Sequence, residues 1–397
     1  MDFSPFLQSK NNGGWLSRMR RKSLLDRGAP RFTKVYLEPT THCNLQCRGC
    51  MRHSWTEAPG EMAPATFQSF LAGIGAVRSL QTVAFWGFGE PLMHPQIVAM
   101  VREISRRGLR TEIITNGLLL DRERSEDLVA AGLDTLVVSL DGASPDTQAL
   151  SRSGADLPAI LANLGTLKAA ARKRRERELE IGIEFVLTKS NIKEFVGLTD
   201  VARQIDAAFV IATNLLPYTE AMAGEILYWM SAQEYTTPRF VDGRPAILFP
   251  SVDRRQVGVQ LLREQVPGLA KNDSTPWSPA ATDGYCPFVE RGSVSITWDG
   301  RVCPCIALMH NHQYFLMNMP KNVQTYAVGN IGSQSLASIW NDQEFFSFRR
   351  RVREFDFAPC ARCGGCELAE SNQEDCTGSP FPTCGGCLWA KGVLLCP

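Results

Sequence analysis

Two absences narrow what this chain can be. Its 397 residues carry a formal net charge of +1, so no excess of one sign favours nucleic acid or an anionic surface as a partner. No apolar run approaches the ~18 residues of a membrane-spanning helix, and the first residues lack the apolar core of a signal peptide. The sequence therefore predicts a cytoplasmic protein with neither a nucleic-acid nor a membrane partner.

Cysteine is missing from most of the chain, and this is the most informative absence. The sequence has 13 cysteines, of which three lie at positions 43, 47 and 50, none lies between 51 and 285, and the others follow. A chain without an export signal is not expected to hold disulfides. The uneven distribution therefore favours metal ligation.

The first three cysteines form a compact ligand set. Cys43, Cys47 and Cys50 have the spacing C-x3-C-x2-C directly after a short apolar strand. Thiolates bind iron–sulfur clusters, and a [4Fe–4S] cubane needs one ligand for each iron. Three thiolates leave one iron open for an exogenous ligand, as in a catalytic rather than a closed structural centre. A zinc site or a structural thiol cluster is the alternative.

Residues 34–217 alternate between strand and helix patterns. Apolar segments bounded by turn residues predict six strands, at 35–37, 82–86, 111–114, 135–140, 181–187 and 209–216. Helical periodicity between them predicts crossover helices at 64–77, 95–107, 125–131, 157–177 and 192–205. Six such units predict an α/β fold, a partial (β/α)6 TIM-like barrel, with a small cysteine-rich C-terminal domain. Chemistry in parallel barrels gathers at the carboxyl ends of the strands.

Polar motifs follow four of these strands. They are Gly-Phe-Gly-Glu-Pro at 87–91, Thr-Asn-Gly at 115–117, Ser-Leu-Asp-Gly at 139–142 and Asn-Leu-Leu-Pro at 214–217. Glycine after a strand lets a ligand approach the backbone closely. Asn-Gly and Asp-Gly are also common turn dipeptides, so turn formation is the alternative role for these motifs.

The cysteine loop and the strand-end motifs together resemble the radical S-adenosylmethionine (SAM) superfamily over residues 34–217. The resemblance implies that SAM chelates the open iron of a [4Fe–4S] cluster. It also implies that reductive cleavage of SAM forms a 5′-deoxyadenosyl radical, with a ferredoxin or flavodoxin as the electron donor. The implied cofactor contacts are Gly87, Gly89, Glu90, Pro91, Asn116, Ser139, Asn214 and Leu215. Phe88 stands where the family has a glycine, and no catalytic acid or base is identified.

The C-terminal cysteines resemble a second family pattern. Cys286, Gly300 and Cys305 have the spacing C-x13-G-x4-C, which resembles the start of the SPASM extension with its two auxiliary iron–sulfur clusters. The metal ligands implied in this region are Cys286, Cys303, Cys305, Cys360, Cys363, Cys366, Cys376, Cys384, Cys387 and Cys396. The spacing beyond Cys363 departs from the SPASM pattern, so the ligands of each cluster stay unassigned.

A zinc ribbon is the competing interpretation of the same region. Cys363, Cys366, Cys384 and Cys387 fit the spacing C-x2-C-x17-C-x2-C, which is typical of structural zinc sites. A ribbon alone would leave Cys286, Cys305 and Cys396 without partners. One or two auxiliary [4Fe–4S] clusters are therefore predicted, with zinc as the alternative.

These features predict four segments: a lead-in at 1–33, a radical SAM core at 34–217, a bridge at 218–284 and a SPASM-like domain at 285–397. The tail from Cys366-Glu367-Leu368 to Glu374-Asp375-Cys376, with the segment 381–389 (Phe-Pro-Thr-Cys-Gly-Gly-Cys-Leu-Trp), also resembles maturases associated with tungsten-containing aldehyde oxidoreductases. The predicted function is a maturase that modifies a peptide, a protein or a cofactor precursor. The alternatives are a radical SAM enzyme acting on a small molecule and a non-catalytic iron–sulfur electron-transfer protein.

Overall fold

The structure is a computed structural model, and it describes residues 30–173, 178–233, 239–253, 255–265, 284–360 and 366–396. Most of the predicted lead-in at 1–33, parts of the predicted bridge at 218–284 and the predicted ligand Cys363 lie outside the described residues.

Fifteen strands occur among the described residues. They are β1 (Lys34–Leu37), β2 (Gln46–Cys47), β3 (Thr82–Phe85), β4 (Arg110–Thr115), β5 (Thr135–Ser139), β6 (Arg152–Ser153), β7 (Glu180–Leu187), β8 (Phe209–Asn214), β9 (Arg239–Val241), β10 (Ala246–Phe249), β11 (Ser293–Ile296), β12 (Arg301–Cys303), β13 (His312–Leu316), β14 (Met319–Val323) and β15 (Gly329–Asn330).

Ten α-helices accompany these strands in the described part of the chain. They are α1 (Pro64–Ile74), α2 (Ile97–Ser105), α3 (Arg122–Ala131), α4 (Pro145–Ser151), α5 (Leu157–Arg172), α6 (Phe195–Gln204), α7 (Val257–Gln265), α8 (Pro287–Arg291), α9 (Leu336–Asn341) and α10 (Gln343–Glu354). None of these described helices combines the length and the apolar character that crossing a bilayer requires.

One 11-stranded sheet dominates the molecule, in the order β15-β12-β11-β1-β3-β4-β5-β7-β8-β10-β9. Within it β1, β3, β4, β5, β7 and β8 pair side by side in parallel. These are the six predicted strands in their predicted order, with the five predicted crossover helices observed as α1, α2, α3, α5 and α6. The predicted α/β partial barrel is therefore confirmed.

The sheet also extends beyond the six predicted strands. On one side β10 joins β8 in parallel, and β9 follows in the antiparallel direction. On the other side β11 joins β1 in parallel, followed by antiparallel β12 and β15. A single sheet thus runs through the predicted core, bridge and C-terminal segments, and the division into domains stays a prediction.

Alternate residues of the parallel strands serve two different cores, because successive side chains of a strand point to opposite faces. Val35 and Leu37 are 0% exposed and pack in the large core that includes the helices. Tyr36 belongs instead to a second group that we call the barrel-interior cluster. Its buried members are Tyr36, Ala84, Ile114, Val137, Phe209, Ile211, Leu248, Phe288, Cys303, Ile306, Met309 and Leu395.

Local sequence signals fix both the start and the end of helix α3. The Asp121 side chain caps α3 by accepting a hydrogen bond from the Arg124 backbone N–H at 2.8 Å. Gly132 follows the last turn of α3 at φ +99°, a left-handed conformation that favours glycine. This stop returns the chain to the sheet at β5, whose carboxyl end carries Ser139.

Residues 393–395 attach to the end of β8 and reach the barrel interior. The Leu395 backbone N–H donates to Thr213 Oγ1 at 2.9 Å, and Asn214 Nδ2 donates to the Val393 carbonyl at 2.9 Å. Leu395 thereby enters the barrel-interior cluster. The cysteine-rich region therefore contributes side chains to the barrel itself.

Candidate functional site

The three-cysteine loop is held against a distant part of the barrel. Strand β2, which contains Cys47, pairs with β6, where Cys47 lies opposite Arg152. The Arg48 backbone N–H adds a hydrogen bond to the Ser151 carbonyl at 3.1 Å. On the other side, Arg52 Nη2 donates to the Leu45 carbonyl at 2.7 Å. The loop is therefore positioned by Arg52, which lies just after it, and by Ser151 and Arg152 from the middle of the predicted core.

The three thiols lie near enough to affect one another. Burial raises the pKa of Cys43, with the charge of Cys50 adding to the increase. Burial raises the pKa of Cys47 to about 11; the cation of Arg152 opposes this, whereas Asp141, Cys50 and Cys43 add to it. Without a metal these two thiols hold their protons at neutral pH. Metal binding must therefore release protons here, as cluster assembly on thiols does.

The number and kind of donors suit a cubane with one open iron. Cys43, Cys47 and Cys50 are free, half-buried thiols on one loop. A cubane takes one thiolate for each iron, so three thiols hold three irons and leave the fourth to an exogenous ligand.

The Gly-Phe-Gly-Glu-Pro segment lies directly against the cysteine loop. The Glu90 backbone N–H donates to the His42 carbonyl at 2.7 Å. A side chain at Gly89 would overlap the backbone carbonyls of Thr40 and His42, so glycine is required for this close approach. Gly87 faces the Glu38 side chain in the same way. The segment that follows β3 and the cysteine loop therefore form one packed unit.

Glu90 uses both carboxylate oxygens inside the protein. Its Oε1 accepts from Leu92 N at 3.0 Å and from Thr115 Oγ1 at 2.7 Å, and its Oε2 accepts from Asn116 N at 2.8 Å. Burial raises the pKa of Glu90, and these hydrogen bonds hold the increase down. The carboxylate thus ties the end of β4 to the loop after β3, and Pro91 continues into a buried turn.

Two of the other predicted cofactor contacts, Asn116 and Leu215, touch the cysteine loop. Asn116 Nδ2 donates to Asn44 Oδ1, inside the cysteine loop, at 2.8 Å. Leu215 packs against Gly49 of that loop. Asn214 donates through Nδ2 to Ser251 and Val393, while its buried Oδ1 has no partner among the described residues. Whether these residues bind a cofactor stays a prediction.

A charged pair, Arg152 and Asp141, lies beside Cys47, and the sequence motifs did not predict it. Arg152 Nε lies 2.7 Å from Asp141 Oδ2, and both side chains are mostly buried. Ser139 hydrogen-bonds Glu184, which lies opposite it in the β5–β7 register. Burial and the charge of Asp141 raise the pKa of Glu184 to about 7, although Arg152 lowers it. Only the Asp141-Gly142 turn signalled this region in the sequence, because Arg152 lies in a two-residue strand.

A second charged group lies at the end of β1. His310 Nε2 lies 2.9 Å from Glu38 Oε2, and its Nδ1 lies 3.0 Å from Glu57 Oε2. Trp55 packs against the imidazole with ring centroids 4.4 Å apart. His312, two residues on, donates from Nδ1–H to the His310 carbonyl at 3.0 Å, and burial lowers the pKa of His312 to about 4. The sequence offers no spacing that would pair His310 with Glu38.

Four C-terminal thiols form a group. Burial raises the pKa of Cys305 well above its ordinary value, and the charges of Cys286, Cys387 and Cys384 add to the increase, followed by a smaller contribution from Cys303. Cys384 responds in the same way to Cys387 and Cys286, and burial with Cys387 raises the pKa of Cys286 to about 12. Thiols from the beginning and the end of the cysteine-rich region therefore lie close together.

The remaining cysteines are distributed differently. Cys360 and Cys366 are half-buried and Cys376 is exposed, while Cys363 lies outside the described residues. Cys303 is buried in the barrel-interior cluster. Cys396 packs against that cluster and accepts a hydrogen bond from Trp389 Nε1 at 3.1 Å. Burial raises the pKa of Cys396, with Glu184 as the largest charged influence.

Two family patterns match this chain. The Radical SAM superfamily matches residues 37–198, and SPASM, an iron–sulfur cluster-binding domain, matches residues 286–367. The two matches cover the three-cysteine loop and the first cysteines of the C-terminal region.

Relatives match over most of the chain. A tungsten-containing aldehyde ferredoxin oxidoreductase cofactor-modifying protein from Pyrococcus furiosus is 30% identical over 369 residues, 91% of this chain and 96% of that protein. A PqqA peptide cyclase from Gluconobacter oxydans is 26% identical over 85% of this chain and 84% of that protein. An AdoMet-dependent heme synthase from Methanosarcina barkeri is 26% identical over 85% of this chain and 89% of that protein.

A solved structure has the same fold. Streptococcus suis SuiB bound to S-adenosylmethionine superposes with a TM-score of 0.56 at 15% sequence identity, covering 87% of this chain and 74% of that chain.

Proposed function

The chain belongs to the radical SAM superfamily, and on that premise we propose that it is a maturase that modifies the cofactor of a tungsten-containing oxidoreductase. It is an enzyme that binds SAM at a [4Fe–4S] cluster and carries auxiliary iron–sulfur clusters in a SPASM domain. The non-catalytic alternative is set aside on this ground. The substrate is the part that the proposal adds.

The ligands proposed for the SAM cluster are Cys43, Cys47 and Cys50. Reductive cleavage of bound SAM would supply a 5′-deoxyadenosyl radical for hydrogen abstraction from the substrate. The protein's part is to orient SAM and the substrate and to exclude water around them. The proposal is supported by three thiols on one loop, with Arg152 of β6 opposite Cys47.

Around that loop, the residues proposed to contact SAM remain Gly87, Gly89, Glu90, Pro91, Asn116, Ser139, Asn214 and Leu215. Their packing supports two roles: making room for close backbone contact, and holding neighbouring segments in place through hydrogen bonds. Gly89 permits close approach of backbone, whereas Glu90 acts through its hydrogen bonds to Thr115 and Asn116. We add Arg152 to the residues proposed to contact SAM, because its cation lies beside Cys47. Its guanidinium pairs with Asp141 and has further donors that can bind a second carboxylate.

One auxiliary cluster is proposed on Cys286, Cys305, Cys384 and Cys387. The support is their mutual influence on one another's pKa. Four thiols complete a closed cubane, and this grouping favours a cluster over a zinc ribbon that would need Cys384 and Cys387 for itself. The second cluster is proposed on Cys360, Cys363, Cys366 and Cys376. Cys303 and Cys396 then remain as thiols of the barrel interior.

The tungsten link rests on a single observation, the 30% identity to the P. furiosus cofactor-modifying protein over nearly the full length of both chains. Peptide modification is the second candidate, since a PqqA peptide cyclase is 26% identical over 85% of this chain. In either case the electron donor is proposed to be a ferredoxin or flavodoxin, because cleavage of SAM requires the low end of the range of cluster potentials.

Turnover of SAM tests the cluster assignment. We expect the anaerobically reconstituted and reduced protein to form 5′-deoxyadenosine, and the Cys43→Ala variant to form none. Cys396→Ser is the matched control: it removes a thiol that the proposal assigns to neither auxiliary cluster, so the product should persist. Formation of 5′-deoxyadenosine by Cys43→Ala would contradict the assignment.

The substrate is tested separately. A tungsten oxidoreductase isolated from cells lacking this protein is expected to carry a cofactor of different mass from that of the parent cells. Complementation with the parent gene should restore the mass, and complementation with Cys43→Ala should not. An unchanged mass would overturn the tungsten proposal and leave SAM cleavage unaffected.

A further inference from the structure

Glu38, the residue directly after β1, is a buried carboxylate with a hydrogen-bond partner on each oxygen. Its side chain is 0% exposed. Oε1 accepts from the Phe88 backbone N–H at 3.1 Å, and Oε2 lies 2.9 Å from His310 Nε2. The carboxylate therefore connects the segment 87–91, which is proposed to contact SAM, with the C-terminal region.

His310 is oriented by a second carboxylate on its other side. Its Nδ1 lies 3.0 Å from Glu57 Oε2, and the Asn311 backbone N–H donates to Glu57 Oε1 at 3.3 Å. An ionised carboxylate only accepts hydrogen bonds, so each ring nitrogen of His310 acts as a donor. The two bonds fix the plane of the imidazole and keep its Nε2–H directed at Glu38.

The ring of Phe88 also packs against His310. Its centroid lies 5.8 Å from that of the His310 ring and 5.7 Å from that of Trp55, in both cases edge to face. Trp55 in turn packs against the imidazole, with ring centroids 4.4 Å apart. Phe88 stands where the radical SAM family has a glycine, so the side chain at this position gives His310 a direct contact with the segment 87–91.

The two halves of that segment are held by different residues. Glu90 bonds to His42 and Thr115, close to the cysteine loop. Gly87 lies against Glu38 so closely that a side chain on Gly87 would overlap that of Glu38. The peptide between residues 87 and 88 is trans, so its carbonyl points opposite to its N–H. The bond from that N–H to Glu38 thus also sets the direction of the Gly87 carbonyl.

We propose that Glu38 and His310 are positioning residues of the SAM site, through which the C-terminal region holds residues 87–88 in the conformation that binds SAM. The role rests on the proposed contact of the segment 87–91 with SAM and names what holds its first half. Both side chains act through the backbone of Phe88 and need not touch SAM. A buried carboxylate that loses its cationic partner takes up a proton or turns toward water. Either change weakens its hold on the Phe88 N–H.

Two substitutions of His310 separate its two hydrogen bonds. The amide nitrogen of glutamine reaches the position of Nε2, so His310→Gln keeps a donor to Glu38. The amide nitrogen of asparagine reaches only the position of Nδ1, so His310→Asn keeps a donor to Glu57 and loses the one to Glu38. Tyr326→Phe is the matched control for a general loss of stability. It removes a hydrogen bond within the C-terminal region, from the buried Tyr326 hydroxyl to Glu344 Oε1 at 2.9 Å, that involves neither Glu38 nor His310.

Cleavage of SAM by the cluster-loaded full chain is the first measurement. His310→Asn should raise the KM for SAM about tenfold, the size expected for loss of a hydrogen bond to a charged group. Its kcat should stay close to that of the parent, because the lost interaction serves binding and not the chemical step. His310→Gln and Tyr326→Phe should keep the KM of the parent.

The outcomes separate this role from the proposed function. If the parent forms 5′-deoxyadenosine and His310→Asn keeps the parent KM, the positioning role is overturned while the SAM site stands. An equal rise in KM for His310→Gln or Tyr326→Phe would overturn the role in the same way. A parent that forms no 5′-deoxyadenosine would overturn the SAM site and the positioning role together. The identity of the substrate enters none of these measurements.

Amide hydrogen exchange gives a second measurement that needs no turnover, because it reports local opening of the backbone. In the cluster-loaded, unreduced full chain without SAM, the Phe88 N–H should be protected in the parent, His310→Gln and Tyr326→Phe. The protection should be lost in His310→Asn. Equal protection of Phe88 in His310→Asn and the parent would overturn the positioning role even if the KM for SAM had risen.

Discussion

His310 Nε2 lies 2.9 Å from Glu38 Oε2, and neither side chain is exposed to solvent. The other ring nitrogen faces Glu57, whose side chain is 28% exposed. One imidazole thus joins the end of β1, the segment after the cysteine loop and the C-terminal region. Burial pulls the pKa of His310 down, but the hydrogen bonds and charges of Glu38 and Glu57 outweigh it and raise the pKa above 6.5.

That pairing predicts a pH-dependent contribution to stability. A raised histidine pKa stabilises the fold fully below the unfolded value of about 6.5, and the stabilisation is lost as the pH rises through the folded value. Replacing His310 by Leu leaves the buried Glu38 without its cationic partner, with only the Phe88 backbone N–H still donating to it, and should cost about 3–5 kcal/mol at pH 6. The measurement is the free energy of unfolding at pH 6 and pH 8.5, with the larger deficit expected at pH 6. Glu57→Gln, at a partly exposed partner, should cost less, and a deficit for His310→Leu that grows with pH would contradict the pairing.

Glu184 also makes the stability of the fold depend on pH, over a lower pH range than His310 does. Its pKa is raised from 4.5 to about 7, chiefly by burial, so the fold loses stability as the pH rises between these values. Glu184→Gln should remove that loss and be more stable than the parent at pH 8 by at most about 3 kcal/mol, taking about 1.4 kcal/mol for each tenfold change.

Denaturation of the metal-free protein at pH 5 and pH 8 measures the Glu184 effect. Glu103→Gln is its control, because the pKa of Glu103 is lowered by Arg107 and Arg106 on the helix surface. That change should not stabilise the protein at pH 8. A Glu184→Gln variant less stable than the parent at pH 8 would contradict the prediction.

Two glycines predict opposite outcomes for the same substitution. Gly89→Ala forces a methyl group against the carbonyls of Thr40 and His42, so the cysteine loop must move. We expect iron binding at the SAM cluster to weaken on the order of tenfold, as for other residues that orient metal ligands. Gly165→Ala, in the middle of α5 with open space around the added carbon, should gain about 0.5–1 kcal/mol. Iron titration and thermal unfolding of both variants check this, and normal iron binding by Gly89→Ala would show that the loop is not constrained.

The cysteines of the C-terminal region predict a difference in iron content. Cys384→Ser should lose the cluster shared with Cys286, Cys305 and Cys387, about four irons per chain. Cys396→Ser should keep its iron, because the Cys396 thiol accepts a hydrogen bond from Trp389 in the barrel and is not one of the proposed cluster ligands. Iron and sulfide analysis of anaerobically reconstituted variants measures both. An equal loss from the two variants would place Cys396 among the cluster ligands.

Much of the fold was readable from local patterns. The six parallel strands and the order of their crossover helices follow from alternating apolar periodicity, which short segments express by themselves. The boundaries shifted by a few residues: the helix expected at 95–107 is Ile97–Ser105. The sheet extensions β10 and β11 were not predicted, because their short strands acquire a sheet partner only through contacts far away in the sequence.

The sequence by itself determined the ligand chemistry: three cysteines on one loop, a cysteine-rich end and glycines after the strands, since composition and spacing are properties of adjacent residues. Only the tertiary structure decided which distant groups meet. It brought Cys286 and Cys305 to Cys384 and Cys387, set Arg152 opposite Cys47 and placed Leu395 inside the barrel. The physical reason is that parallel pairing and side-chain burial join segments more than a hundred residues apart, such as Thr213 and Leu395. No local pattern encodes which of the available partners each buried polar group will find.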